Sequence, residues 1–145
     1  MVKLCEPEVS EQYWLNCFTY KCNSCGKVFD IVFSEGCELV EFEEINGGDI
    51  KYLPMYGKGG YLDLSAKLLP GYIEKNDGNM EKSRLFLIEL NKYCEKSSHG
   101  TDISFRKLIF ECTNCKSKDI TILKEDILHS PKLSWLKIDC SLMED

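Results

Sequence analysis

The chain has no apolar run near the roughly 20 residues that a membrane span requires. Leu85-Phe86-Leu87-Ile88 is about its longest. The stretch from Met1 to Glu8 has no apolar core of the kind that opens a secretory signal. These absences set the expectation of a cytoplasmic protein without membrane association. Histidine is nearly missing. Only His99 and His129 occur, neither in a His-Glu-x-x-His pattern nor beside a plausible nucleophile, so a hydrolase reading has little support. Positive charge is scarce in the first third. Residues 1–50 carry 3 Lys against 10 Asp or Glu, a net of −7, within a total of −6. Residues 51–145 carry 15 Lys or Arg against 14 Asp or Glu, a net of +1. Nucleic-acid binders usually present a basic patch that releases counterions from phosphate, so a nucleic-acid partner is not expected.

What remains is a chain of 145 residues, 43% hydrophobic and 29% charged, sized and composed for one soluble globular domain with its own core. Cysteine is frequent for a chain of this kind, nine in all. An odd count without a signal is unlike a secreted disulfide scaffold, and it points to a reducing compartment with metal ligation. Five cysteines (Cys5, Cys17, Cys37, Cys94, Cys140) are scattered. The other four form two Cys-x-x-Cys pairs, Cys22-Asn23-Ser24-Cys25 followed by Gly26, and Cys112-Thr113-Asn114-Cys115 followed by Lys116. Each pair follows an aromatic strand end, Tyr20 or Phe110, and precedes a new apolar strand. A two-residue gap bends the chain so that two sulfurs approach one ion, while amides just past each cysteine bond the thiolates. Two such turns complete a tetrahedral four-sulfur shell, and a shell with no open position is structural rather than catalytic. Thioredoxin-type pairs instead open a helix after a strand.

This strand–Cys-x-x-Cys–strand unit, used twice, resembles the zinc-ribbon or rubredoxin-like class, in which two knuckles on antiparallel hairpins share one metal. The resemblance covers residues 13–45 and 103–123 and implies one structural Zn²⁺ on Cys22, Cys25, Cys112 and Cys115. The same shell can hold iron, which makes electron transfer an alternative. The chain departs from compact ribbons in the 86 residues between Cys25 and Cys112. An inserted segment, about 46–102, is therefore expected between the knuckles.

Periodicity places strands at 14–20, 28–33 and 37–45, the last Glu-rich on one solvated face. Turns are expected at Asn46–Asp49 and Asn76–Asn79, with Asn79 or a neighbour capping the next helix, and at Ser97–Gly100. Tyr52 to Gly60 reads as a loop, 62–69 as a short helix ending before Pro70, and 80–96 as the best helix, with Phe86, Leu90, Tyr93 and Cys94 at helical spacing. Strands follow at 103–110 and 119–123, then a tail with one helical turn before Pro131. The fold class expected is α+β, a single domain over 1–145 with an antiparallel zinc-ribbon-like sheet and an inserted loop and helical segment.

The sequence names no catalytic residues. The glycine-rich loop 52–62, whose most distinctive stretch is Met55–Leu62 with Lys58, offers an alternative enzyme site with zinc as scaffold. It lacks the Walker pattern, and the plainer reading is a connection whose glycines serve turns. Cys37, close to the first knuckle, is a minor rival ligand. Cys94 reads as a small apolar filler. Glu35, Glu38, Glu41, Glu43 and Glu44 form an acidic run that suits docking of a basic protein partner. The function expected is a structural zinc-binding protein, a non-catalytic adaptor or interaction module.

Overall fold

The computed structural model describes residues 3–9, 12–35, 38–45, 49–69, 80–95 and 102–144. In chain order the strands are β1 (Leu4–Cys5), β2 (Trp14–Cys22), β3 (Val28–Phe33), β4 (Leu39–Glu44), β5 (Lys51–Pro54), β6 (Ile103–Phe105), β7 (Ile120–His129) and β8 (Ile138–Asp139). The helices are α1 (Tyr61–Leu68) and α2 (Met80–Tyr93), and a 3-10 turn spans Cys140–Met143. Every strand ladder is antiparallel and helices accompany the sheets, an α+β arrangement. The chain divides into two compact units, each discontinuous in sequence.

The smaller unit comprises Gln12–Gly36 and Lys107–Lys132. Its sheet runs β3-β2-β7. Alternation in β3 buries Phe29, Ile31 and Phe33 and leaves Val28 and Asp30 out. Each such burial is worth roughly 1.5–3 kcal/mol. Phe18, Tyr20 and Ile120 pack against the same cluster, which also contains Cys22 and Cys112. Phe110 lays its ring edge-on to Phe33 at 5.6 Å and Tyr20 at 6.0 Å.

The larger unit comprises Met1–Glu11, Cys37–Arg106 and Leu133–Asp145. The sheet β5-β4-β6 and both helices enclose Phe42, Leu53, Leu64, Phe86, Leu90, Leu136 and Ile138, all at most 1% exposed. The spacing of Phe86, Leu90 and Cys94 puts one stripe of α2 into this core. Asn91 joins α2 to β6: its Nδ2 donates to the Leu87 and Ile103 carbonyls, and its Oδ1 accepts from the Ile103 amide at 2.9 Å.

Several sequence expectations are corrected. The strand at 103–110 stops at Phe105 and pairs with β4, so neither it nor β4 belongs to the sheet that carries the knuckles. Residues 51–54 are strand β5 rather than loop. The helical turn before Pro131 is absent because β7 continues to His129 against β2. The Glu-rich face of β4 is not solvated: Glu44 is buried, and Glu41 is paired with Arg106 at 2.7 Å with both side chains mostly covered. The turns at 46–48, 76–79 and 97–100, the cap at Asn79, Pro70, His99 and Cys37 lie outside the described residues.

The scattered cysteines are not all reduced. Cys5 on β1 and Cys140, just past β8, form a disulfide across 135 residues of sequence, with Cα atoms 5.1 Å apart. Cys94 remains a buried thiol, as the filler reading requires, and Cys17 a half-buried one. Closing so long a loop removes unfolded-state entropy worth at most about 5 kcal/mol, with about 2–4 kcal/mol usual in practice. Cys140→Ala should lower the unfolding free energy by about 2–4 kcal/mol in denaturant titrations without reductant. The same substitution should cost little when both proteins are reduced. Equal stability of the two proteins without reductant would show the bond to be energetically idle.

Candidate metal centre

Each knuckle is built by the same backbone path. The Cys22 amide donates to the Lys27 carbonyl and the Cys112 amide to the Ser117 carbonyl, both at 2.8 Å. The Gly26 amide returns to the Cys22 carbonyl at 2.9 Å, and the Lys116 amide to the Cys112 carbonyl at 3.0 Å. Both turns need a left-handed residue straight after the second cysteine, at Gly26 (φ 80°) and Lys116 (φ 64°). Glycine meets that requirement without steric cost, whereas lysine accepts about 1–2 kcal/mol of strain.

The amides then aim at sulfur. Ser24 and Cys25 donate to Cys22 Sγ, each at 3.4 Å; Asn114 and Cys115 donate to Cys112 Sγ at 3.3 and 3.5 Å. Across the two turns, Ser24 Oγ meets Ser117 Oγ at 3.0 Å. Asn23 reaches Asp119 and Thr121 at 3.0 and 2.9 Å, fastening the first knuckle to the start of β7.

The result is a tetrad. The Sγ atoms of Cys22, Cys25, Cys112 and Cys115 lie within 4.8 Å of one another. The closest cross-knuckle pairs are Cys22–Cys115 at 3.5 Å and Cys25–Cys112 at 3.6 Å. A tetrahedral ion with metal–sulfur bonds of ~2.3 Å sets its sulfurs ~3.8 Å apart, so the donor set fits a four-thiolate ion. Cys22 and Cys112 are fully buried while Cys25 and Cys115 face solvent.

Known proteins supply no analogue. The chain matches no family model, no curated protein and no solved structure. The assignment of the centre rests on its own geometry, and all four residues expected from sequence are the ones brought together.

The thiols are electrostatically unequal. The Lys27 amide, then the Asn114 side chain, hold Cys25 down at about 6. The Cys25 amide, with the Ser24 amide and Cys115 behind it, lowers Cys22 against its own burial. At Cys115 the Ser117 amide pulls down, but Cys22, burial and the remaining sulfurs outweigh it and push the thiol up to about 12. Some sulfurs are thus poised as thiolates while a neighbour keeps its proton, as expected of four ionisable groups in contact that lack a shared cation.

The glycine-rich segment is held by local contacts. The Glu8 amide donates to the Lys58 carbonyl at 2.9 Å, and Asp63 accepts from the Gly59 amide at 2.8 Å while pairing with Lys67. A Cβ on Gly60 would lie 2.7 Å from the Pro54 and Tyr56 carbonyl oxygens, and one on Gly59 would strike Met143. Close backbone packing therefore accounts for these glycines. In the smaller unit an open cleft of about 500 Å³ is lined by Asn16, Phe18, Glu35, Glu125, Asp126, Ile127 and His129, with Asn16 donating to Glu35 at 2.9 Å. Its lining holds no serine, cysteine or lysine nucleophile.

These environments predict an order of reactivity after chelation. At pH 7 the exposed, ionised Cys25 should be alkylated by iodoacetamide first, with Cys115 slow because it stays protonated. The Cys25 rate should fall as pH drops through about 6. Peptide mass mapping against time checks this. Equal rates at all four cysteines would show that the knuckles lose their geometry without an ion.

Proposed function

We propose that the chain is a structural zinc protein of zinc-ribbon-like type, a non-catalytic adaptor whose metal holds an interaction surface in shape. The observation that carries this reading is the closed tetrad: four sulfurs from two matched knuckles, with backbone amides already aimed at Cys22 and Cys112. Such a shell leaves no coordination position for substrate or water, so the ion supplies cross-linking rather than Lewis-acid chemistry. Zinc suits it as a borderline-soft ion without a redox step, content with tetrahedral sulfur. Iron in the same shell would be an electron carrier, distinguishable by its red colour.

The adaptor role draws support from apolar exposure on the small unit, where Trp14, Val28, Ile109, Phe110, Ile122, Leu123 and Ile127 all face solvent. Exposed apolar side chains in such number mark interaction sites. A basic partner docking on the 35–44 segment remains part of the proposal in reduced form. With Glu44 buried and Glu41 committed to Arg106, its exposed carboxylates are those of Glu35 and Glu38. No helix among the described residues is long and apolar enough to cross a membrane. Disulfides persist mainly in oxidising compartments, so the Cys5–Cys140 bond weighs against a cytoplasmic site of action.

Elemental analysis of protein dialysed against metal-free buffer should give close to one zinc per chain. Cys112→Ser should lose most of it and raise protease cutting at 21–27 and 112–118. Cys94→Ser should keep the full equivalent. Iron in place of zinc would overturn the structural assignment, and full metal retention by Cys112→Ser would overturn the ligand set.

A further inference from the structure

Strand β7 is an outer strand. Along one edge it pairs with β2 from Trp14↔His129 to Cys22↔Ile120. Its other edge pairs with no strand among the described residues. Natural edge strands are blunted by shortness, proline, charged side chains or bulges, because a row of unpaired amides and carbonyls is a template for another strand. β7 carries a bulge and the charges Lys124, Glu125 and Asp126, so a second strand must match that charge order. β7 is ten residues long, has no proline, and exposes every residue from Thr121 to His129. Ile122, Leu123, Ile127 and Leu128 are among them, Leu123 at 55%.

The order of residues says what kind of strand fits. Pairing with β2 places Glu125 and Ile127 on the face of Phe18 and Asn16, and Lys124, Asp126 and Leu128 on the face of Thr19 and Cys17. A register shift makes Leu123 a bulge, so that Ile122, opposite Tyr20, returns to the face of Glu125 and Ile127. Two copies of β7 laid side by side in antiparallel fashion are related by a two-fold axis normal to the sheet, and residues opposite each other share a face. The axis must then pass at a residue rather than between two.

At Lys124 it would set lysine against lysine, and at Asp126 aspartate against aspartate. At Ile127 it would set Asp126 against Leu128 twice. At Glu125 it sets Lys124 opposite Asp126 of the second copy, twice by symmetry. Carried past the bulge, the same register sets Ile122 opposite Ile127, also twice. Only Glu125 then faces its own kind. The charge order Lys124–Glu125–Asp126 between two apolar pairs is thus complementary to itself.

We propose that the free edge of β7 is a dimerisation surface whose occupant is a second copy of β7, joined about an axis at Glu125. The join makes one continuous sheet through both small units, removes the exposed edge, and covers the four apolar side chains. The bulge at Leu123 adds local twist, which the two copies share by symmetry. Lys124 and Asp126 already pair within one copy at 3.0 Å, and both are well exposed, so the exchange to partners across the axis leaves neither of them unpaired. This inference goes beyond the metal reading and is separable from it, because its variants leave every cysteine in place.

Sedimentation equilibrium of the full, metal-loaded chain from micromolar to millimolar concentration tests it. The wild type should show a monomer–dimer equilibrium. Lys124→Asp and Asp126→Lys should each weaken the dimer by about tenfold or more, since each sets like charges across both symmetric pairs. Mixing the two variants should restore association as a heterodimer of near wild-type strength, because each then offers the charge that the other lacks. Glu125→Gln should tighten the dimer a few-fold. Zinc content and melting temperature should be unchanged throughout, which separates lost association from lost folding. A chain that stays monomeric at every concentration would overturn the proposal. So would a dimer indifferent to both single changes, or a mixture no tighter than its components.

Discussion

Four sulfurs brought within 4.8 Å set the terms for the smaller unit. Two thiolates at 3.5 Å in a medium of effective dielectric near 20 repel by on the order of 4–5 kcal/mol. The knuckle amides offset part of this, and a shared cation removes it. Cys22 and Cys112 are also members of the apolar cluster with Phe29, Ile31 and Phe33. Whatever holds the sulfurs together therefore holds the core together. With two segments of 25 and 26 residues, this unit has little interior of its own, and small domains of that size commonly need a metal or disulfide.

The larger unit answers to a different constraint. Its core of Phe42, Leu53, Leu64, Phe86, Leu90, Leu136 and Ile138 is closed by packing, with Phe105 stacked against Phe42 at 5.3 Å and Phe86 at 6.2 Å. Ser65 Oγ is buried there without a hydrogen-bond partner among the described residues, while other polar groups are committed. Asn91 bonds the Leu87 carbonyl within α2 and both backbone groups of Ile103 at the start of β6, and Arg106 neutralises Glu41. That carboxylate, with burial as the larger cause, pushes Tyr52 up to about 12. Such groups fix which strand lies beside which, because leaving any of them buried and unmatched costs about 1–3 kcal/mol. The tight turn at Gly57–Gly60 belongs to this framework, and its glycines meet close contacts at Pro54, Tyr56 and Met143.

Both units leave large apolar side chains exposed, the smaller one along β7 and around the knuckle strands, the larger one at Ile45, Tyr56, Leu62 and Ile88 among others. A metal ion on the four cysteines would cross-link the smaller unit and supply order that its limited core volume does not.

The grouping of the four cysteines, the knuckle turns, β3 with its alternating core and the apolar stripe of α2 were legible in the amino-acid sequence. Each is a local property: a two-residue gap, a period of two or a period near four dictates geometry within a few residues. The tertiary structure alone decided the rest. β4 and β6 choose each other rather than the knuckle strands, and β7 runs on to His129 because β2 offers partners that far. Glu44 is buried although its neighbours in sequence read as a solvated face. Cys5 and Cys140, which have no motif around them, meet across 135 residues. Strand partnership, burial of a charge and the oxidation of a cysteine all depend on what arrives from elsewhere in the chain, and no local pattern records that arrival.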